Sequence, residues 1–448
     1  MSAAGDGAET AGNAANGARC VGRRAGAPRA TATPLRVVCR VALAACLGAA
    51  LLGLATCGGR DAAGSPSGSP TGRTAPQSAD STSAGANSPR SAGAVPTAAD
   101  AARALDALDA AFLHRTARGA YYAKSSNGAT AVGFTDSWRD AEMLETVEDY
   151  ADLTGSATDR RLVGELCRGL LSLDGTRWLL TYSTKLHRLD GARANDDIMW
   201  MVIAFTRAAM ITGDRSYARI AAWNYERTYA RAWSSTFGGG LWWWQRAGRQ
   251  REKNATTNAP AVIAACELDL ALHRTTYLSR AIGLYRWTRA HLFDARTGEV
   301  YDALLPGPGG APLLSRVRFS YDQGSFVGAA GMLYRATGRV AYRRDALLAL
   351  AYAKDSIAHG GVLPAEARRP GTDLGGFKGI FARWAVWFTR TDRITSFTAW
   401  LRLNAATAWR SRNARGLAGW DWTRTTSGPQ CAWDCSSMPA MLECVAAR

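Results

Sequence analysis

Histidine is scarce in this chain, with five among 448 residues. None stands at ligand spacing with the cysteines, which excludes a structural zinc site, and no metal is expected. Acids are also in the minority: 37 Asp and Glu face 54 Lys and Arg, for a net charge of +17. The basic residues are Arg scattered along the chain, outside any recognisable nucleic-acid module, so no nucleic-acid partner is expected. No Walker-type loop occurs and no Gly-x-Ser-x-Gly elbow precedes a helix, which removes two large classes of enzyme. Strand-like alternation is rare. The apolar run Val41 to Ala55 has fifteen residues, short of the roughly 20 that span a bilayer.

That run has a different use. Arg36 and Arg40 precede it and small residues follow it, the layout of a signal peptide. Its end, Leu54-Ala55-Thr56-Cys57, resembles a bacterial lipobox, although Thr56 stands where Gly, Ala or Ser is usual. Residues 1–56 are therefore expected to be an N-terminal extension and lipoprotein-type signal. Cys57 becomes the lipidated residue and the membrane anchor; ordinary secretion or an uncleaved anchor is the alternative. Residues 57–98 are Ser, Gly, Ala, Pro and Thr with almost no bulky apolar side chain, and such a segment stays a disordered linker. Residues 1–56 carry six Arg and two acids, so the remainder keeps +13. An exported protein on the outer face of the cytoplasmic membrane is the expectation. Export also favours one disulfide among Cys431, Cys435 and Cys444.

From Ala99 the periodicity is helical. Leu105, Leu108, Ala111 and Phe112 share one face, as do Met143, Leu144, Val147 and Tyr150, and Val202, Ile203, Phe205 and Ala209. Stop signals recur near every 60 residues: Thr154-Gly155, Thr212-Gly213, Thr337-Gly338 and a degenerate one at Leu272 to Tyr277. That period is two helices and two connections. Residues 99–448 hold about six such hairpins, so the expected fold is all-α, an (α/α)6 barrel, with a helical solenoid as the rival.

The polar clusters fall between the repeats. Asp196 and Asp197 follow Asn195 ahead of an amphipathic helix. As structure alone this is Asn195 capping a helix whose first turn favours acids. As chemistry, two neighbouring carboxyls supply a nucleophile and a general acid, with Asp136, Glu142 and Glu145 as the nearest substitutes. Sixteen Trp are present, and Trp242, Trp243 and Trp244 are consecutive. Three in a row cannot all face a core, and indole faces stack on sugar rings. Trp200, Asn254, Asn258, Tyr321, Gln323 and Lys378 complete the candidate substrate-binding set; capping or core packing is the plainer use of each. A terpene-cyclase use of the acid pair requires a third acid where Trp200 stands.

Taken in order, several stretches carry a resemblance. They are Trp138 to Glu145, Asn195 to Trp200, Gly238 to Trp243, Lys253 to Asn258, Tyr321 to Gly324 and Phe377 to Phe381. Together the region from residue 100 to the C-terminus resembles glycoside hydrolase family 76, the bacterial endo-α-1,6-mannanases and their fungal cell-wall relatives. The resemblance implies an (α/α)6 barrel, a retaining mechanism without metal or organic cofactor, and α-mannan or a mannosylated envelope glycan as substrate. It implies Asp196 as nucleophile, Asp197 as general acid/base and Trp138 among the binding residues, in a monomer. Departures are Asp322 where the family more often has Asn, Pro260 inside the helix after Asn258, and Met199 and Met201 beside Trp200. The same site could serve a transglycosidase, or a non-catalytic mannan-binding lipoprotein. A sugar epimerase works through paired His, which this chain lacks.

Overall fold

A computed structural model of the protein describes residues 95–125, 137–172, 194–244 and 251–446. Residues 1–94, with the signal, Cys57 and most of the linker, lie outside them, as does Asp136. Twelve α-helices are present among the described residues. They are α1 (Ala98–Phe112), α2 (Ser137–Thr154), α3 (Ala157–Ser172), α4 (Asn195–Thr212), α5 (Arg215–Ala232), α6 (Ala255–Leu272), α7 (Thr275–Leu292), α8 (Ser320–Thr337), α9 (Val340–Tyr352), α10 (Phe377–Thr391), α11 (Thr398–Arg410) and α12 (Ala432–Ala446). Short strands join them: the hairpin β1 (Leu113–Thr116) and β2 (Gly119–Tyr122), and an antiparallel sheet of β3 (Lys253–Asn254), β4 (Ala303–Pro306) and β5 (Pro312–Ser315).

The even-numbered helices form a closed inner ring. Each packs on the next, and α12 returns to α2. The odd-numbered helices lie outside, with α1 against α12, which makes the fold an (α/α)6 barrel. Enclosure explains why α4 departs from the amphipathic pattern. Every residue from Ile198 to Ala209 is buried, and so is every residue of α6 from Ala255 to Leu268. A helix walled on all sides has no use for a polar face. Close approach needs small residues: a Cβ at Gly324 of α8 would lie 2.4 Å from the Cα of Phe381 in α10. Helix ends match the repeat. Thr154, Thr212 and Thr337 each donate a hydroxyl hydrogen bond to the carbonyl four residues back. Gly213 and Gly338 take the left-handed conformation, and at the degenerate signal His273 takes it instead, at φ 54°.

The cysteines overturn one expectation. All five in the described residues are free thiols. Cys431 and Cys435 are one turn apart at the start of α12, where the Cys435 N–H donates to the Cys431 carbonyl. Their sulfurs meet different neighbours: Cys435 points to Gln430, Cys431 abuts Gly371, and Cys444 lies near the other end of the same helix.

The ring encloses charge as well as hydrocarbon. Arg383 of α10 donates Nε to Asp149 at 2.9 Å, Nη2 to the Glu142 carbonyl at 2.6 Å, and pairs with the Glu142 carboxylate through Nη1. Arg207 of α4 reaches the other Asp149 oxygen at 2.6 Å. Burial opposes the Asp149 charge, but the two guanidinium groups hold its pKa below the ordinary range. Burial pushes Glu145 and Glu148 well above theirs. Glu142 and Glu145 thus belong to the core. Removing one cation should leave buried carboxylates uncompensated. Arg383→Met is expected to cost about 3–5 kcal/mol of unfolding free energy at neutral pH, read by urea denaturation. The deficit should shrink as pH falls and the carboxyls take up protons.

Candidate active site

The N-terminal ends of the inner helices meet at one mouth of the barrel, and the acid pair stands on α4. Ala194, not Asn195, occupies the N-cap position and offers no side-chain cap. Asn195 is the first helical residue and is fully buried. Its amide N–H donates to the Trp243 carbonyl at 2.7 Å and its Nδ2 to the Trp242 carbonyl at 2.7 Å. Arg231 Nε donates to its Oδ1 at 2.9 Å. Asn195 therefore lashes the tryptophan segment to the start of α4. That segment is made possible by Gly238, Gly239 and Gly240, all at positive φ. A Cβ on Gly240 would lie 2.6 Å from the Trp287 ring.

This lashing sets the acids. Trp243 Nε1 donates to Asp196 Oδ2 at 3.0 Å, and the Asp197 amide donates to Asp196 Oδ1 at 3.0 Å. Both Asp196 and Asp197 are half-buried. Burial raises Asp196 to about 7; the Trp243 and backbone hydrogen bonds pull it back, and Asp373 adds to the rise. Further carboxyls converge on the same mouth. Burial, then the charges of Asp302 and Asp196, raise Glu252 to about 8. Burial raises Asp302 to about 6. Asp322 is fully buried, neither oxygen has a hydrogen-bond partner, and burial pushes it well above the carboxylate range.

The other sequence-predicted residues divide by exposure. Trp138, Trp242 and Trp243 keep accessible surface; Trp138 meets Trp433 edge-on at 4.9 Å. Trp200 lies one turn below the acids and is buried. Tyr321 stacks on Phe377 with ring centroids 3.8 Å apart. Asn254 caps α6 by accepting from the Thr257 amide at 3.1 Å. Asn258 bonds both the Leu241 amide (2.8 Å) and carbonyl (3.1 Å). Gln323 accepts from the Val300 amide and donates to the Gly298 and Ala349 carbonyls. Lys378 donates to the Trp420 carbonyl at 2.6 Å, over the Trp422 ring. Asn254 thus serves the start of α6, while Asn258, Gln323 and Lys378 spend polar atoms on loop backbone around the mouth. Lys253 does the same, giving Nζ to the carbonyls of Ser234, Thr236 and Gly239.

Glu252, Lys253 and Asp302 were not singled out from the sequence as site residues. The β3–β4 pairing sets Asp302 across from Ala255, whose amide donates to the Asp302 carbonyl, and so brings the Asp302 charge within reach of Glu252, 50 residues earlier in the chain. The only local signal was the polar run Glu252-Lys253-Asn254. Among the described residues no group of His, Cys, Asp or Glu is arranged to hold a metal ion.

Comparison with known proteins converges on one family. The model for "Glycosyl hydrolase family 76" matches residues 108–446. No curated protein matches the sequence. Among solved structures, the GH76A α-1,6-mannanase of Salegentibacter sp. is 26% identical with a TM-score of 0.67, over 78% of this chain and 98% of that one. An inactive variant of that enzyme, with two consecutive aspartates changed to asparagine, is solved with α-1,6-mannotriose; it is 25% identical over the same shares, with a TM-score of 0.68. A family 76 glycoside hydrolase (mannosidase) of Bacteroides thetaiotaomicron is 19% identical, with a TM-score of 0.64, over 78% of this chain and 97% of that one, and shares the fold.

Trp243 gives the site a direct test. Its N–H favours the charged form of Asp196, so Trp243→Phe should raise that carboxyl further, by about one pH unit. Carboxyl carbon NMR of the free protein should show Asp196 titrating near 7 and moving upward in the variant. An unmoved titration would remove Trp243 from the control of Asp196.

Proposed function

The chain belongs to glycosyl hydrolase family 76 and is a glycosidase; on that premise we propose that it cleaves α-1,6-mannosidic bonds by a retaining double displacement on Asp196 and Asp197. The observation that carries this reading is the pairing of two half-buried acids at one helix start, with both oxygens of the first held by hydrogen-bond donors. A carboxylate fixed in this way has little rotational freedom left and presents itself to an anomeric carbon. That the Salegentibacter enzyme is inactivated by changing two consecutive aspartates, and is solved with α-1,6-mannotriose, supports the same assignment here.

In the proposed reaction the Asp197 carboxylic acid gives its proton to the glycosidic oxygen as the C1–O bond breaks. The Asp196 carboxylate forms a bond to C1, giving a glycosyl ester. Asp197, now a carboxylate, takes a proton from water; the water oxygen attacks C1 and Asp196 leaves as a carboxylate. Asp196 must be ionised when Asp197 is protonated. The Trp243 and Asp197 N–H groups that donate to Asp196 favour its charged form. The half-buried indoles of Trp138, Trp242 and Trp243 are the side chains on which mannose rings would stack.

Delivery forms part of the proposal. Arg36, Arg40, the apolar run from Val41 and Cys57 support export with a lipid anchor, and the linker to Ala98 gives the barrel reach. Among the described residues no helix is long and apolar enough to cross a membrane. Replacing Cys57 by Ser should move the protein from the detergent phase to the aqueous phase on Triton X-114 partition; a wild type already in the aqueous phase would remove the anchor.

The function is tested by digesting linear α-1,6-mannan with wild type and with Asp197→Asn, and reading products by mass spectrometry. Wild type should release short mannooligosaccharides, and the variant should lose on the order of a thousandfold in rate. Retained activity in the variant would take the acid/base role away from Asp197. Mannan bound but uncut by wild type would make the protein a glycan-capturing lipoprotein.

A further inference from the structure

The C-terminal ends of the inner helices meet at the opposite mouth of the barrel. On α4, Asp197 and Met210 are thirteen residues apart, about 20 Å along the axis. A cavity of about 490 Å³ opens there, walled by the last turns of α2, α4, α6, α8 and α10 and by the first turn of α3. Its volume lies within the range of about 300–1,000 Å³ typical of small-molecule sites.

Five arginines line this cavity: Arg160, Arg207, Arg335, Arg383 and Arg390. Arg207 and Arg383 form its floor and are already committed to Asp149 and Glu142. Arg160, Arg335 and Arg390 are exposed on the rim, and none has a carboxylate at ion-pair distance among the described residues. Their charge is only partly answered by the acids of the wall. Asp149 is spent on the floor arginines, Asp152 is exposed, and burial raises Glu267 to about 7, so near neutrality Glu267 carries less than a full charge.

Helix dipoles account for part of the ring. Arg335 and Arg390 stand in the last turns of α8 and α10, where a cation is favoured. Arg160 is not accounted for in this way. It is the fourth residue of α3, where a cation meets the positive end of the dipole and an anion would relieve both. Two further features point to an occupant. Trp384, 1% exposed and part of the wall, has an indole N–H with no acceptor. The lip of the cavity carries exposed hydrocarbon: Met210 is 42% and Leu270 61% exposed. Guanidinium groups beside bare apolar side chains match an anionic head on an apolar stem.

We propose that this basal cavity is a second binding site, for an amphiphile with a phosphate-ester head, filled independently of the catalytic mouth. The head would lie among Arg160, Arg335 and Arg390, which can pair with phosphate oxygens two at a time. The stem would run along Met210, Leu270 and Trp387. Because the cavity and the acid pair are at opposite ends, an occupant leaves the cleft open to glycan. The same head chemistry is found on membrane phospholipids and on soluble organophosphates.

The experiment uses the full-length chain and two charge-matched triple variants. One removes the rim (Arg160→Ser, Arg335→Ser, Arg390→Ser). The control removes three exposed arginines elsewhere (Arg118→Ser, Arg286→Ser, Arg344→Ser). In one arm, dihexanoyl phosphatidylglycerol below its micelle concentration is titrated by calorimetry, with dihexanoyl phosphatidylcholine for comparison. In the other, phosphatidylglycerol vesicles are co-sedimented. The rim variant should lose affinity by on the order of tenfold or more, the control should not, and mannan cleavage should be equal in all three. Selective loss with the soluble lipid alone sustains the site and assigns it a dispersed phosphate-ester amphiphile; selective loss with vesicles sustains it and assigns a membrane headgroup. Absence of binding in both arms, or equal loss in both variants, overturns the proposal. None of these outcomes depends on which glycan the cleft cuts.

Discussion

Closure of the inner ring is the constraint from which the rest of the structure follows. Six helices that pack on one another and on six outer partners have no solvent-facing side, so their sequences become apolar all round, as in α4 from Ile198 to Ala209. Polar chemistry is then confined to helix ends, where backbone N–H groups at one mouth and carbonyls at the other are left without intrahelical partners. The acid pair occupies the first mouth and the arginine-rimmed cavity the second, matching the sign of the inner-helix dipole ends around them, with Arg160 on α3 the exception. A buried ionic cluster, Arg383 and Arg207 on the carboxyls of α2, is held together because the two guanidinium groups and Asp149 satisfy one another.

At the mouth that holds the acid pair most conspicuous polar residues act on the protein itself. A loop crossing over buried helix ends has backbone groups that water cannot reach, and each must find a partner. Asn195, Asn258, Lys253 and Gln323 supply those partners for the segments carrying Trp242, Trp243, Gly239 and Gly298. Their fixed geometry is transmitted to the site through Trp243, whose N–H ends on Asp196. The accessible set is therefore smaller than the polar clusters suggest: the two acids, Glu252 and a few indole faces.

The helical repeat and the acid pair were legible in the sequence because they are local. Thr-Gly stops and apolar spacing fix helix ends, and even the degenerate stop near Leu272 is a helix terminus, with His273 in the left-handed role. The identity of the N-cap was misplaced by one residue, since Asn195 looks like a cap and instead serves a segment 47 residues on. What escaped was non-local. Strand pairing brings the Asp302 charge within reach of Glu252, and six helix ends assemble the basal cavity, neither of which leaves a periodic mark. Export and proximity favour a disulfide among the C-terminal cysteines, but all three are free, with Cys435 on Gln430 and Cys444 toward the other end of α12.

Asp196 is pulled two ways, and the balance suits the reaction proposed for it. It stands in the first turn of α4, where the dipole favours an anion by about 0.3–1 kcal/mol, and two N–H donors add to that. Burial still wins: a rise from 3.8 to about 7 corresponds to on the order of 4 kcal/mol against the charged form. In the empty site the carboxylate is therefore less stable than in water. Positive charge arriving at an adjacent anomeric carbon would reverse this, because attraction across a site with water excluded is far stronger than in solution. On the proposed mechanism the sugar carries that charge chiefly in the transition state. An Asp196 whose charge burial disfavours in the free enzyme thus stabilises the transition state more than the bound substrate, which is the condition for raising kcat and not merely lowering KM.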